Sequence, residues 1–203
     1  MAGRILVIAC GAIARELVRI RELNGWDHVE FQCLPAELHN RPERIPAAVR
    51  SRIEREQDRF EKIFVAYADC GTGGLLDKTL AEFGIERIPG AHCYEFYSGS
   101  ENFHRLADQE PGTFYLTDFL VRHFDRLVVQ GLGLDRQPQL KPVYFGNYRR
   151  VVYLAQTESA ELLSLARQHA QFLELEFVHQ FHGDEPLSLL LKPELEIERT
   201  CQS

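Results

Sequence analysis

The chain has 203 residues, of which 45% are hydrophobic and 26% charged, and carries a net charge of −7. This suits a single α/β domain over residues 1–203 with a core that needs no cross-links. The absence of a Lys/Arg cluster argues against nucleic acid or an anionic membrane surface as a partner. No apolar stretch is long enough to cross a bilayer, and "MAGRILVIAC" lacks a signal-peptide layout, so a cytoplasmic protein is expected.

In chain order, "RILVIAC" is a near-continuous apolar run, the pattern of a strand covered on both faces, and Gly11 breaks it. "AIARELVRIREL" then places Ile13, Leu17 and Ile20 on one helical stripe. "VEFQCL" alternates, with Val29, Phe31 and Cys33 on one face, which predicts core packing for Cys33. After the loop "PAELHNRPERIP", "AAVRSRIEREQDRFEKI" reads as a helix with Val49, Ile53 and Phe60 inward. "KIFVAYADC" is the next strand, followed by "GTGG", the helix "LLDKTLAEFG" and a short strand near "ERIPG". The β-α-β-α-β-α-β order predicts a three-layer α/β fold, a mainly parallel sheet with helices on both faces.

Further on, "GTFYLTDFLVRHFDRLVV" reads as a helix burying Phe119, Leu120, Phe124 and Leu127. "RRVVYLAQ" is a strand, and "ESAELLSLARQHAQFL" a helix with an acidic first turn. "ELEFVHQF" and "LSLLL" suggest a closing strand pair near the C-terminus.

The five cysteines are Cys10, Cys33, Cys70, Cys93 and Cys201. An odd count in a cytoplasmic chain argues against a disulfide framework. Ligands of open parallel sheets collect at the carboxyl ends of the strands. Cys10 ends the first strand, Cys70 the third, and Cys93 follows the fourth, so three distant thiols are expected at one sheet edge. Helix N-termini behind the Gly11 and Gly71 turns favour thiolate. Cys10, Cys70 and Cys93 are therefore candidate metal ligands. Zinc would keep a fourth position for water or substrate, whereas a [4Fe-4S] cluster would keep one open iron. The alternative is that small buried thiols simply fill the core. Cys201, in the polar tail, is expected to be incidental.

In "HCYE", an extended chain would turn Cys93 and Glu95 to one side and His92 to the other. Glu95 is a candidate ligand or general base. His39, in the loop after the second strand, is a candidate for binding substrate or supporting the ligands. His104 and His123 lie in helical context and read as structural. Asp69 should point away from Cys70. Tyr144, Asn147, Tyr148 and Arg149, in "VYFGNYRR", are candidates for lining a substrate pocket.

Gly11, Gly71, Thr72, Gly73 and Gly74 form the turns whose backbone could approach a cofactor. "DCGTGG" resembles the loop that binds S-adenosylmethionine in class I methyltransferases, although that family places it after the first strand. "DCGTGGLL" is also similar to glutamate racemases, whose second cysteine motif is missing here. No P-loop lysine accompanies "GTGG".

Together, "ACGAIARE", "LPAELHNRPE", "DCGTGG", "HCYEF", "GTFYLTDFLVRHFD" and "YFGNYRRVVYLAQ" resemble domain-of-unknown-function family 1638. Its motif positions here include Cys10, His39, Cys70, Cys93 and Glu95. Members are often encoded near corrinoid-dependent methyltransferase components. The resemblance thus implies a place in one-carbon or methyl-transfer metabolism, with a small-molecule substrate and a corrinoid protein as partner. The expected function is a metal-dependent transferase. The alternatives are an iron–sulfur protein, a non-catalytic metal or corrinoid carrier, and an S-adenosylmethionine-dependent methyltransferase.

Overall fold

Ile5–Cys10 forms β1, buried along its whole length as its unbroken apolar run requires. β2 (Val29–Leu34) and β3 (Lys62–Ala66) flank it, both parallel to it, in the order β2-β1-β3. Cys10 pairs with Leu34 and Ala9 with Ala66, so all three strands end at one edge. α1 (Ala14–Asn24), α2 (Ile45–Glu56) and α3 (Leu75–Ala81) connect the strands or follow them, burying Leu17 and Ile20, Val49 and Ile53, and Leu76 and Leu80.

The computed structural model describes residues 3–196, so Cys201 lies outside the described residues. Two units are distinguished: one runs up to His92 and resumes at Leu187, the other runs from Cys93 to Pro186. The second begins with α4 (Tyr94–Ser98) and α5 (Ser100–Gln109). Its sheet has the order β4 (Thr113–Thr117), β5 (Arg150–Ala155), β6 (Glu176–Phe181), again all parallel. α6 (Asp118–Arg122), a π-helical segment (Asp125–Gln130), α7 (Lys141–Phe145) and α8 (Ala160–Leu173) complete it. Its core gathers Leu116, Val121, Phe124, Val151, Tyr153 and Ala166. Ser159 caps α8 by accepting from the Leu162 amide at 3.2 Å. α9 (Glu185–Leu195) enters the first unit, where Lys62 donates to the Glu194 carbonyl at 2.9 Å.

The mainly parallel α/β class therefore holds, with the strands divided between two three-stranded sheets. Several local expectations are corrected. "LSLLL" belongs to α9, where Leu187, Leu191 and Leu195 are buried at helical spacing. "TFYLT" is β4 rather than helix, in keeping with its aromatic and β-branched residues. Phe124 and Leu127 are buried, but Val121 takes the inward place expected of Phe119 and Leu120. The stretch near "ERIPG" makes a single bridge, Val65 to Arg87, rather than a strand. Cys33 is exposed, since β2 is an edge strand whose covering is incomplete.

Candidate metal centre

The site is built from the chain leaving β2, the chain leaving β3 and a stretch that runs beside β3, with the end of β1 close to the first of these. At the end of β1, the Cys10 sulfur caps a short 3-10 turn by accepting from the Ala12 amide at 3.4 Å. A Cβ at Gly11 would lie 3.0 Å from the Leu34 carbonyl oxygen, so the glycine lets the chain leaving β2 pass closely. That chain forms the 3-10 turn Ala36–Asn40, which carries His39 on the surface. Gly71, with φ 84°, would place a Cβ 3.5 Å from Pro42, just beyond that turn. Both glycines thus seat the His39 segment.

Beyond β3 the chain closes on Asp69. Its carboxylate accepts from the Thr72 hydroxyl at 2.6 Å, the Gly74 amide at 2.8 Å and the Gly73 amide at 3.1 Å. These bonds, the Thr72 hydroxyl first, hold its pKa below the usual carboxylate range. The amides of Gly73 and Gly74, expected to face a cofactor, are therefore taken by the chain's own acid. Inside this turn Cys70 adopts φ 48°, a left-handed conformation that a residue with a Cβ rarely takes.

The third segment runs beside β3. The Val65 amide donates to the Glu86 carbonyl at 3.1 Å, and the Ile88 amide to the Val65 carbonyl at 3.1 Å. The Cys70 amide then donates to the Ala91 carbonyl at 2.9 Å, two residues before Cys93. Arg87 clasps the stretch. It donates to both carboxylate oxygens of Asp77, at 2.6 and 2.9 Å, and to the carbonyls of Ile88 and Gly90 at 2.9 and 3.3 Å. Nothing in the sequence separates Arg87 from an ordinary surface arginine.

The outcome is a convergence: a ring nitrogen of His39 and the sulfurs of Cys70 and Cys93 all lie within 4.8 Å of one another. Sulfurs bound tetrahedrally to one zinc ion, each about 2.3 Å from it, stand about 3.8 Å apart. This donor set could therefore hold a metal ion. Both cysteines are buried and His39 is exposed.

Cys10 lies outside this group. Its thiol was expected to be acidified by the helix turn behind it. Instead burial, the largest influence, pushes its pKa up to about 11, outweighing the Ala12 amide, and the neighbouring Cys70 also raises it. The Tyr67 hydroxyl faces the Cys10 sulfur without closing a well-formed hydrogen bond.

Cys93 and Glu95 are both buried while His92 is exposed, but the chain achieves this by turning into α4 rather than by strand alternation. Glu95 accepts from the Ser100 hydroxyl at 3.1 Å, and His104 donates from Nδ1 to the Ser100 carbonyl at 2.8 Å. His123 packs on Phe119, ring centroids 4.5 Å apart. Tyr144, Asn147, Tyr148 and Arg149 lie at the amino edge of the second sheet, just before β5. There Tyr148 packs edge-on against Phe114, and the Arg149 amide donates to the Gly112 carbonyl at 2.7 Å. Tyr144 is exposed.

Among the described residues, no helix is long and apolar enough to cross a membrane. Residues 33–188 match the family described as a protein of unknown function, DUF1638. The matched span contains His39, Cys70 and Cys93 and leaves out Cys10. No curated protein and no solved structure matches the chain.

Proposed function

The chain belongs to the DUF1638 family, which brings no activity with it, and from the site we propose a metalloprotein that holds one ion on His39, Cys70 and Cys93 and receives a small-molecule substrate beside it. The observation that carries this reading is the convergence of three donor atoms from three separate segments. Two thiolates with one imidazole suit a borderline-soft ion such as zinc. Two thiolate charges balance a divalent cation, so a largely buried site gains no net charge. The donors of a [4Fe-4S] cluster sit on different irons and stand further apart than donors sharing one ion, so the tight spacing favours a single ion over a cluster.

In this reading the protein is an enzyme. The ion, when bound, lowers the pKa of a coordinated thiol and so prepares a nucleophile near neutral pH. His39 and the two cysteines set where that group lies, and Glu95, two residues beyond Cys93, is the candidate proton acceptor. Methyl transfer, with a corrinoid protein as partner, rests on the family association and on the suitability of thiolate sites for such chemistry. A loop filled by Asp69 disfavours S-adenosylmethionine on "DCGTGG". A carrier is the second reading, supported by the exposure of His39, because an ion held by one surface imidazole can be handed over when that side chain swings away.

The test is metal analysis and a visible spectrum of protein purified without oxygen, with Cys70→Ser, Cys93→Ser and His39→Ala beside the wild type. One zinc per chain is expected, lost in both cysteine variants and weakened in the histidine variant. A brown, sulfide-containing protein would replace the single ion with a cluster. Wild-type protein that neither contains nor takes up metal would overturn the proposal.

A further inference from the structure

Tyr67 is 2% exposed, and its hydroxyl, which faces the Cys10 sulfur, closes no well-formed hydrogen bond. A phenylalanine would fill the same space without stranding a buried polar group, so the oxygen calls for a partner present only in another state of the site. Its electrostatic neighbours are the sulfurs of Cys10, Cys70 and Cys33, with Cys10 having the greatest effect. Cys10 is itself 7% exposed, stands outside the ligand group, and has Cys70 as an electrostatic neighbour. The register that pairs Ala9 with Ala66 brings Cys10 and Tyr67 out together at the sheet edge, so a phenolic O–H and a thiol S–H are buried at the edge from which the chain runs on to Cys70.

Resting on the metal-binding reading, we propose that Tyr67 and Cys10 are positioning residues that bind no metal and donate hydrogen bonds to the Cys70 thiolate of the loaded site. A metal-bound cysteine is a thiolate, and a buried thiolate is stable only with donors around it. Supporting groups of this kind orient a ligand and tune its donor strength. The phenol without a partner is then the donor held ready for that charge. A donor to a substrate at the open position is the competing role.

Cobalt(II) is the probe, because the intensity of its thiolate charge-transfer absorption at saturation counts the bound sulfurs. Tyr67→Phe and Cys10→Ala are expected to weaken Co2+ binding about 10-fold each and shift the band, with full intensity at saturation. Cys10→Ser, which keeps a donor hydrogen, is expected to restore most of the affinity. The thermal midpoint of metal-free Tyr67→Phe should be unchanged or raised, which a purely structural tyrosine would not allow. Reduced saturating intensity in either Cys10 variant would make Cys10 a ligand and overturn the proposal. Wild-type affinity and band position in Tyr67→Phe would also overturn it, leaving the hydroxyl to a substrate. If the wild type takes up no Co2+, or Cys70→Ser binds it equally well, the metal-binding reading itself falls and this inference with it.

Discussion

The left-handed conformation of Cys70 makes a prediction whose sign reverses between two cysteines of the same site. At φ 48° a side chain costs about 1–2 kcal/mol that glycine does not incur. At an ordinary position glycine is instead about 0.5–1 kcal/mol less stable than alanine, through the entropy of the unfolded chain. At residue 70 the first effect outweighs the second, and Cys70→Gly should be more stable than Cys70→Ala by about 0.5–1 kcal/mol. Cys93 has φ −62° and ψ −14°, so Cys93→Ala should exceed Cys93→Gly by about 0.5–1 kcal/mol. Every variant lacks the sulfur, so lost burial and lost metal largely cancel within each pair. The assay is urea unfolding followed by circular dichroism, with a chelator present throughout. A Cys70→Ala protein as stable as Cys70→Gly would refute the reasoning, because the backbone there would then carry no strain for the ligand to impose.

Asp69→Ala removes an acceptor of three hydrogen bonds and should cost about 1–2 kcal/mol, as the loss of a helix cap does, read as a fall in thermal midpoint. Because the folded pKa of Asp69 is lowered, its contribution is fully present above the ordinary carboxylate pKa and is lost as pH falls through the folded value. The gap between wild type and variant should therefore close on acidification. Arg87→Ala frees the stretch leading to Cys93 and should weaken Co2+ binding about 10-fold in a competition titration, equivalent to about 1.4 kcal/mol. Asp118, fully buried, accepts from the Tyr153 hydroxyl at 2.7 Å and the Gln156 amide at 3.1 Å. Asp118→Ala strands these two donors and the Thr157 hydroxyl, which donates to it at 2.5 Å, and should cost about 3 kcal/mol, seen in chemical unfolding.

What the sequence makes legible follows from how local each cause is. β1 and the end of β3 are buried on both faces, and their continuous apolar runs say so directly. The placing of Cys70 and Cys93 near one strand edge follows from the β-α-β order alone. His39 as a donor is harder to see, because its turn is seated by the approach of Gly11 to Leu34, a contact between strands. "DCGTGG" invites an anion-binding reading, and Asp69 shows that the anion can be the chain's own. An Asp ahead of a Gly-rich turn is a known local signal for such closure. "LSLLL" misleads because a short apolar run cannot by itself tell strand from helix. The stranded Tyr67 hydroxyl leaves no trace in the sequence, since only the packed structure removes its partners.

Among the described cysteines, Cys33 alone is exposed. Of these four thiols, Cys33 should therefore react first with a maleimide fluorophore and report on the first unit without consuming either ligand sulfur. The same accessibility makes air oxidation a hazard: covalent pairs of molecules joined through Cys33 would run as dimers on a non-reducing gel. Replacing Cys33 with serine before any measurement of assembly size would remove that artefact.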